Sequence, residues 1–258
     1  MVNDGCFKNK TVLITGGSSG IGLACAEQFV ALGSTVIIFS RDLTKLERAT
    51  TTLGKKCFPI QGSVSSPSEL HSLFQKVSDQ FKKIDILIAS AGISYGQSPI
   101  PTVTEDMFDD IFSVNVKGFF FTVKEAIDYM AQGACIISIS SIAAHMAVSG
   151  TSLYASSKAA LSQLTKNFAA ELAPKGIRVN AISPGMVITP LWDHALINNP
   201  NLYEENSSKI PLNERFATAE EIANAVLFLS SEKASYITGQ DILVDSGLVN
   251  LKQPLIQR

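Results

Sequence analysis

The residues best suited to chemistry in this 258-residue chain are Tyr154 and Lys158. They lie four apart in a segment that reads as helical, so they share one helix face and their heads can approach. A cation near a phenol favours the phenolate and lowers its pKa from about 10. A general acid–base group working near neutral pH needs that tuning. The spacing alone is a cheap coincidence, although Tyr154 is the one tyrosine of five with Lys at that position. The context strengthens it. Ser140 and Ser141 close the apolar run at 134–139, and the chain leads from them into the Tyr154 helix. Ligand crevices in parallel sheets lie at such strand ends, where a hydroxyl can orient a carbonyl oxygen.

A second constellation concerns a nucleotide. The first apolar run is followed by Thr15-Gly16-Gly17-Ser18-Ser19-Gly20-Ile21-Gly22 and then by a helical segment. Glycines here allow a sharp turn, a close backbone approach to a pyrophosphate, and tight packing of helix on sheet. The first helical N–H groups then face the phosphates. The spacing is G-x-x-x-G-x-G, which places Gly16, Ser18, Ser19, Gly20, Ile21 and Gly22 at the cofactor. The second apolar run ends at Ser40-Arg41-Asp42. An acidic residue at this strand end would bind a ribose 2′-hydroxyl, whereas an Arg accommodates a 2′-phosphate. Ser40 holds the acidic position and Arg41 follows, which favours NADP(H) over NAD(H). Asp42 either caps the next helix or pairs with Arg41.

The elements that must position these residues alternate along the whole chain. Short β-branched runs occupy 11–15, 35–39, 57–60, 84–89, 134–139, 177–182 and 241–244. Most lack polar alternation, as parallel strands buried on both faces do. Helical segments lie between them at 20–32, 43–53, 67–82, 104–131, 152–173 and 218–231. The alternation predicts an α/β fold, a doubly wound parallel sheet of Rossmann type in a single domain. The irregular stretch 184–217 reads as a functional segment, a substrate lid at about 186–216.

Composition excludes several classes. The chain is 46% hydrophobic and 17% charged, the reverse of a disordered segment. Its net charge of −2 and lack of a basic stripe argue against nucleic acid. No apolar stretch is long enough for a membrane span, and the early Asp4 does not suit a signal peptide. The four cysteines form no C-x-x-C pair, so no metal site or disulfide framework is expected, and a reducing cytoplasm suits them. The low charge suggests extra burial between subunits.

Taken together, these motifs resemble the short-chain dehydrogenase/reductase family from Thr11 to about Gly247. Thr15 to Gly22 matches its T-G-x-x-x-G-x-G turn, and Tyr154 with Lys158 matches its Y-x-x-x-K motif. Ser141 matches the active-site serine, thirteen residues before Tyr154, and Asn115 the helix asparagine. Pro184-Gly185-Met186-Val187-Ile188-Thr189 matches the segment that packs on nicotinamide. The resemblance implies that Tyr154 exchanges the proton with the substrate oxygen while Ser141 hydrogen-bonds it. Lys158 would lower the Tyr pKa and bind the nicotinamide ribose, and Asn115 would hold a relay water behind it. Pro184, Gly185, Val187 and Thr189 would line the nicotinamide site, with Thr189 and the Val187 backbone on the carboxamide. Two departures stand out. Ser63, in Gly62-Ser63-Val64, replaces the family's adenine-holding Asp. Ala89-Ser90-Ala91-Gly92 replaces N-N-A-G, leaving Gly92 for close approach to the cofactor.

The implied activity is NADP(H)-dependent hydride transfer between nicotinamide and a small carbonyl or secondary alcohol. Ile93, Met146, Val148, Met186, Leu191, Trp192 and Leu196 suggest a moderately apolar substrate. A 3-oxoacyl-thioester reductase is the alternative enzyme, and a non-catalytic nucleotide sensor is the alternative class. Carrier binding would call for cations at the entrance, where the lid offers Lys209 and Arg215. His145, Trp192 and His194 either touch substrate or serve the loops. Phe119-Phe120-Phe121 reads as core or interface packing. The resemblance also implies a homotetramer built on the helices near 104–131 and 152–173.

Overall fold

The structure, a computed structural model, describes residues 6–193, 196 and 199–251. Seven strands form where the β-branched runs predict them: β1 (Thr11–Thr15), β2 (Thr35–Ser40), β3 (Cys57–Gln61), β4 (Ile84–Ala89), β5 (Met130–Ile139), β6 (Arg178–Pro184) and β7 (Asp241–Val244). They make one sheet in the order β3-β2-β1-β4-β5-β6-β7, and every pair is parallel. Alternate residues of β1 serve opposite faces: Val12 and Ile14 join one apolar cluster and Leu13 the other. An uninterrupted apolar run is therefore what this strand requires. β3 is an edge strand, which is why Pro59 and the exposed Phe58 are tolerated there.

The helices are α1 (Gly20–Ala31), α2 (Leu43–Leu53), α3 (Pro67–Phe81), α4 (Glu105–Ile111), α5 (Gly118–Ala126), α6 (Ser152–Leu172), α7 (Leu202–Ser207) and α8 (Ala219–Ser230). Side-chain caps start four of the eight. Asp42, Ser66 and Thr104 cap α2, α3 and α4 with side-chain oxygens. Thr218 and Glu221 form a reciprocal capping box on α8.

The helix expected over 104–131 is broken. A wide π-helical turn, Phe112–Lys117, separates α4 from α5, and residues from Met130 on belong to β5. The strand starts early because Met130 pairs with Ile84 before the register shifts, with Gly133 at φ +78°. Residues 127–133, Ile-Asp-Tyr-Met-Ala-Gln-Gly, keep to neither period clearly, so spacing alone does not place the boundary. Stretch 184–217 is less irregular than expected, since it contains a 3-10 turn at Pro190–Trp192 and α7. Val187 and Ala217 bridge its two ends.

Among the described residues no helix is long and apolar enough to cross a membrane, and no cluster of side chains could hold a metal ion. All four cysteines are free, and Cys25 and Cys135 are core residues.

Candidate active site

The strand order reverses between β1 and β4, and a cleft of about 890 Å³ opens at the C-terminal ends of the strands around that point. The glycine turn forms one wall. Gly16 has φ +71°, and a Cβ there would lie 2.8 Å from the Ala91 nitrogen. A Cβ on Gly22 would lie 2.4 Å from the Gly16 carbonyl oxygen, so Gly22 packs the turn and does not line the cleft. Gly16, Ser18, Ser19, Gly20 and Ile21 do line it. Ser19 occupies the N-cap of α1 without a side-chain cap bond, and the first turn carries no acid. The leading N–H groups of α1 are thus left for an external anion. A pyrophosphate fits this cradle.

At the far end, Asp42 resolves its ambiguity by capping α2. Its carboxylate accepts from the Lys45 N–H at 3.0 Å and lies 3.7 Å from Lys45 Nζ. Arg41 is thereby released from Asp42, and it lines the cleft beside Ser40 and Lys45. Ser18 Oγ donates to Ser40 Oγ at 2.9 Å, which ties the glycine turn to this corner. Lys45 was not legible as a site residue, because only the cap brings the start of α2 round to Arg41. Ser63 and Val64 line the same end. The Ser63 hydroxyl is engaged by Ser65 at 2.8 Å, and its N–H donates to Glu69 at 2.9 Å.

The catalytic candidates meet where β5 ends. Ser141 heads a single 3-10 turn, Ile142–Ala144, and its Oγ accepts from the Ala143 N–H at 3.1 Å. Tyr154 lies in the first turn of α6, with Lys158 one turn on. Lys158 Nζ stands 5.7 Å from the Tyr154 ring centroid and donates to the Ile139 carbonyl at 2.8 Å. Ser141, Tyr154, Lys158, Gly92, Pro184, Gly185, Val187 and Thr189 all line the cleft. Burial pushes the Tyr154 phenol up to about 12, while the hydrogen bond from Ser141 pulls it down. Lys158 is 4% exposed, and its burial lowers the ammonium to about 8. In this structure, then, the group that draws the phenol toward ionisation is Ser141.

Asn115 sits behind the cleft, on the π turn. Its Oδ1 accepts from the Ile93 N–H at 2.9 Å, and its Nδ2 donates to the Ile93 carbonyl and to Ser157 Oγ. It faces Lys158 across Gly92, where a Cβ would be 3.4 Å from Asn115 Oδ1 and 3.3 Å from Lys158 Nζ. Ser157 went unnoticed in the sequence because its role is read only from the fold.

Substrate space lies between the segment from Ile93 to Gln97, the turn after Ser141, and the lid, from which Met186, Leu191, Trp192, Leu202 and Asn206 line the cleft. Trp192 packs on Phe216 at 5.6 Å, and Tyr203 packs on Phe216 at 4.8 Å. His145 does not line the cleft; it turns back toward Ser183 and Asp241. His194 lies outside the described residues. Arg215 grips Glu221 through two bonds of 2.8 and 2.6 Å, and neither it nor Lys209 lines the cleft.

Comparison with known proteins agrees with this geometry. The family described as enoyl-(acyl carrier protein) reductase matches residues 16–249. A 3-oxoacyl-(acyl-carrier-protein) reductase of Thermotoga maritima is 36% identical over 249 residues, covering 94% of this chain and 99% of its own. A 2-(R)-hydroxypropyl-CoM dehydrogenase of Xanthobacter autotrophicus is 34% identical over 245 residues, covering 92% and 97%. The solved structure of a Brucella melitensis 3-ketoacyl-(acyl-carrier-protein) reductase complexed with NADH superposes with a TM-score of 0.87 at 29% identity, covering 94% and 99%.

Proposed function

The chain belongs to the short-chain dehydrogenase/reductase family and is an NAD(P)-dependent oxidoreductase; we propose that it uses NADP(H) to interconvert an uncharged, moderately apolar carbonyl compound and its secondary alcohol. The observation that carries this reading is the distribution of charge along the cleft. Among the described residues its cations are Arg41, Lys45 and Lys158. Two of these stand at the strand end where a 2′-phosphate would lie, and the third belongs to the acid–base set. The substrate end has none.

When bound, the nicotinamide supplies or accepts the hydride. The chain's own residues handle the proton and the orientation. Tyr154 donates its hydroxyl proton to the carbonyl oxygen in reduction and takes it back in oxidation. Ser141 donates a hydrogen bond to the same region and steadies the phenolate left behind. Lys158, held by the Ile139 carbonyl, is the cation that favours the phenolate. Asn115, facing Lys158 across Gly92, closes the proton path at the rear. Arg41, with Ser40 and Lys45 lining the same corner, would hold the 2′-phosphate. The 186–216 segment acts as lid to the substrate end of this single catalytic domain.

Reduction of 3-oxoacyl thioesters is the second reading, favoured by the relatives of that name. Arg215, which a carrier phosphate would need, is already bound to Glu221. The proposal further places the enzyme in the cytoplasm, which suits its four free cysteines, as a homotetramer. The deciding experiment follows NADPH absorbance with a panel of ketones and aldehydes beside acyl-carrier and coenzyme A thioesters. Turnover of uncharged ketones or aldehydes is expected. Turnover confined to the thioesters would overturn the substrate reading, and tight NADPH binding without any turnover would point to a sensor.

A further inference from the structure

The turn that carries Ser141 is pinned from both flanks, and both pins end on one carboxylate. Asp241 opens β7 with its side chain 4% exposed. Its Oδ1 accepts from Ser183 Oγ at 2.6 Å. Its Oδ2 accepts from Ser162 Oγ and from His145 Nε2 at 3.0 Å. Three donors thus satisfy a charge that would be very unfavourable to bury alone. On the upstream flank, Ser162 gives its single hydrogen to Asp241, and Ser140 Oγ lies 3.1 Å from both Ser162 Oγ and the Lys158 carbonyl, so its one hydrogen is shared between those two acceptors. Ser140 is the residue before Ser141. On the downstream flank, His145 ends the turn that Ser141 begins, since its N–H donates to the Ile142 carbonyl at 2.9 Å. A carboxylate only accepts, so His145 must present an Nε2 hydrogen to it.

We propose that Asp241 and His145 are positioning residues for the reaction: together they clamp the Ser140–His145 turn so that the Ser141 hydroxyl stays aimed at Tyr154. None of Asp241, His145, Ser162 and Ser183 lines the cleft, so their effect on turnover is indirect: His145 acts through the turn, whereas Asp241 also holds Ser183, the residue before Pro184. The inference rests on the roles proposed above for Ser141 and Tyr154. Ser141 draws the Tyr154 phenol downward, so loosening the turn must release it upward. The titratable groups facing this region are Lys158 on α6, His145 and Asp241 themselves, and Tyr95 across the cleft with its partner Asp110 on α4.

The test compares His145→Ala with His145→Gln in the full-length enzyme, following alcohol oxidation against pH. Both substitutions remove the imidazole, and only Gln keeps an N–H able to reach Asp241. Ala is expected to lower kcat about tenfold, to leave the KM for cofactor unchanged, and to raise the kcat inflection by about half a pH unit. Gln is expected to restore both. Asp241→Asn should lower kcat as well, and the double variant with His145→Ala should be no worse than Asp241→Asn alone. Thermal melts of each variant separate misfolding from mispositioning, and the His145 pair keeps the test alive if Asp241→Asn fails to fold. Wild-type kcat and pH profile in His145→Ala would overturn the clamp, as would Gln behaving like Ala. Tyr154→Phe, run alongside, distinguishes the failures: retained turnover there sinks the underlying reading, whereas its loss beside an unaffected His145→Ala sinks the clamp alone.

Discussion

At the scale of single residues, Tyr154 and Lys158 lie in opposition, since burial disfavours the charged form of each. Removing the phenolic hydroxyl removes the proposed proton donor and little else. Tyr154→Phe is therefore expected to lose about 10²-fold or more in turnover while binding NADPH within a few-fold of wild type by fluorescence titration. Turnover near wild type would refute the acid–base assignment. Lys158 supplies a pH dependence with a definite sign. Its pKa is lowered to about 8, so it is charged below that pH and neutral above it. As pH rises through about 8, the cation proposed to favour the phenolate is lost, and kcat/KM for NADPH in reduction should fall. A profile that stays flat well above that pH would remove Lys158 from its role. At the other end of the cleft, Arg41→Asp exchanges the proposed phosphate ligand for a repelling charge. The NADPH/NADH preference is expected to drop at least about tenfold, and an unchanged ratio in steady-state kinetics would defeat the 2′-phosphate assignment.

At the scale of elements, function depends on helix ends. The α1 N-terminus is uncapped and close to the sheet because Gly16 and Gly22 let two backbones nearly touch. Gly22→Ala would press a Cβ against the Gly16 carbonyl oxygen, so the turn must shift. A loss of about 1–3 kcal/mol in stability is expected, together with weaker cofactor binding. Calorimetry with and without NADPH checks both, and wild-type values would contradict the close approach. The α8 N-terminus shows the opposite design, with Glu221 closing its own capping box and gripping Arg215. These contacts hold the Glu221 carboxyl down at about 2. A lowered carboxyl pKa stabilises the fold above the ordinary range near 4.5, and that stabilisation fades as pH falls toward 2. Both partners are 42% exposed, so solvent screens the pair. Glu221→Gln should destabilise by only about 1 kcal/mol at neutral pH, a difference that closes in acid. A Tm gap that persisted at low pH would assign the stabilisation elsewhere.

At the scale of the whole molecule, the low charge of the chain acquires causes. Strands buried on both faces carry almost none, as in β1 and β4. The rest bears on assembly. Phe119 is buried against Phe168, while Phe120 stays 41% exposed and Phe108 48% exposed on the neighbouring helix. Apolar side chains on α4 and α5 match the proposed tetramer, which sedimentation velocity would measure directly; a monomer would refute it.

The sequence by itself determined the sheet, because runs such as TVLIT can be buried on both faces in few other ways. It also determined the glycine turn and the Tyr154–Lys158 pair, because these rest on contacts within one or two turns of chain. Local spacing could not say whether Asp42 would cap α2 or pair with Arg41, and the cap decided it. It misplaced the start of β5, since Met130 becomes strand only by pairing with Ile84. It could not connect His145 with Asp241, 96 residues apart, nor show that Arg215 is already taken by Glu221. Those outcomes belong to the tertiary structure, since a hydrogen bond between distant residues is specified only when the sheet and its helices have brought them together.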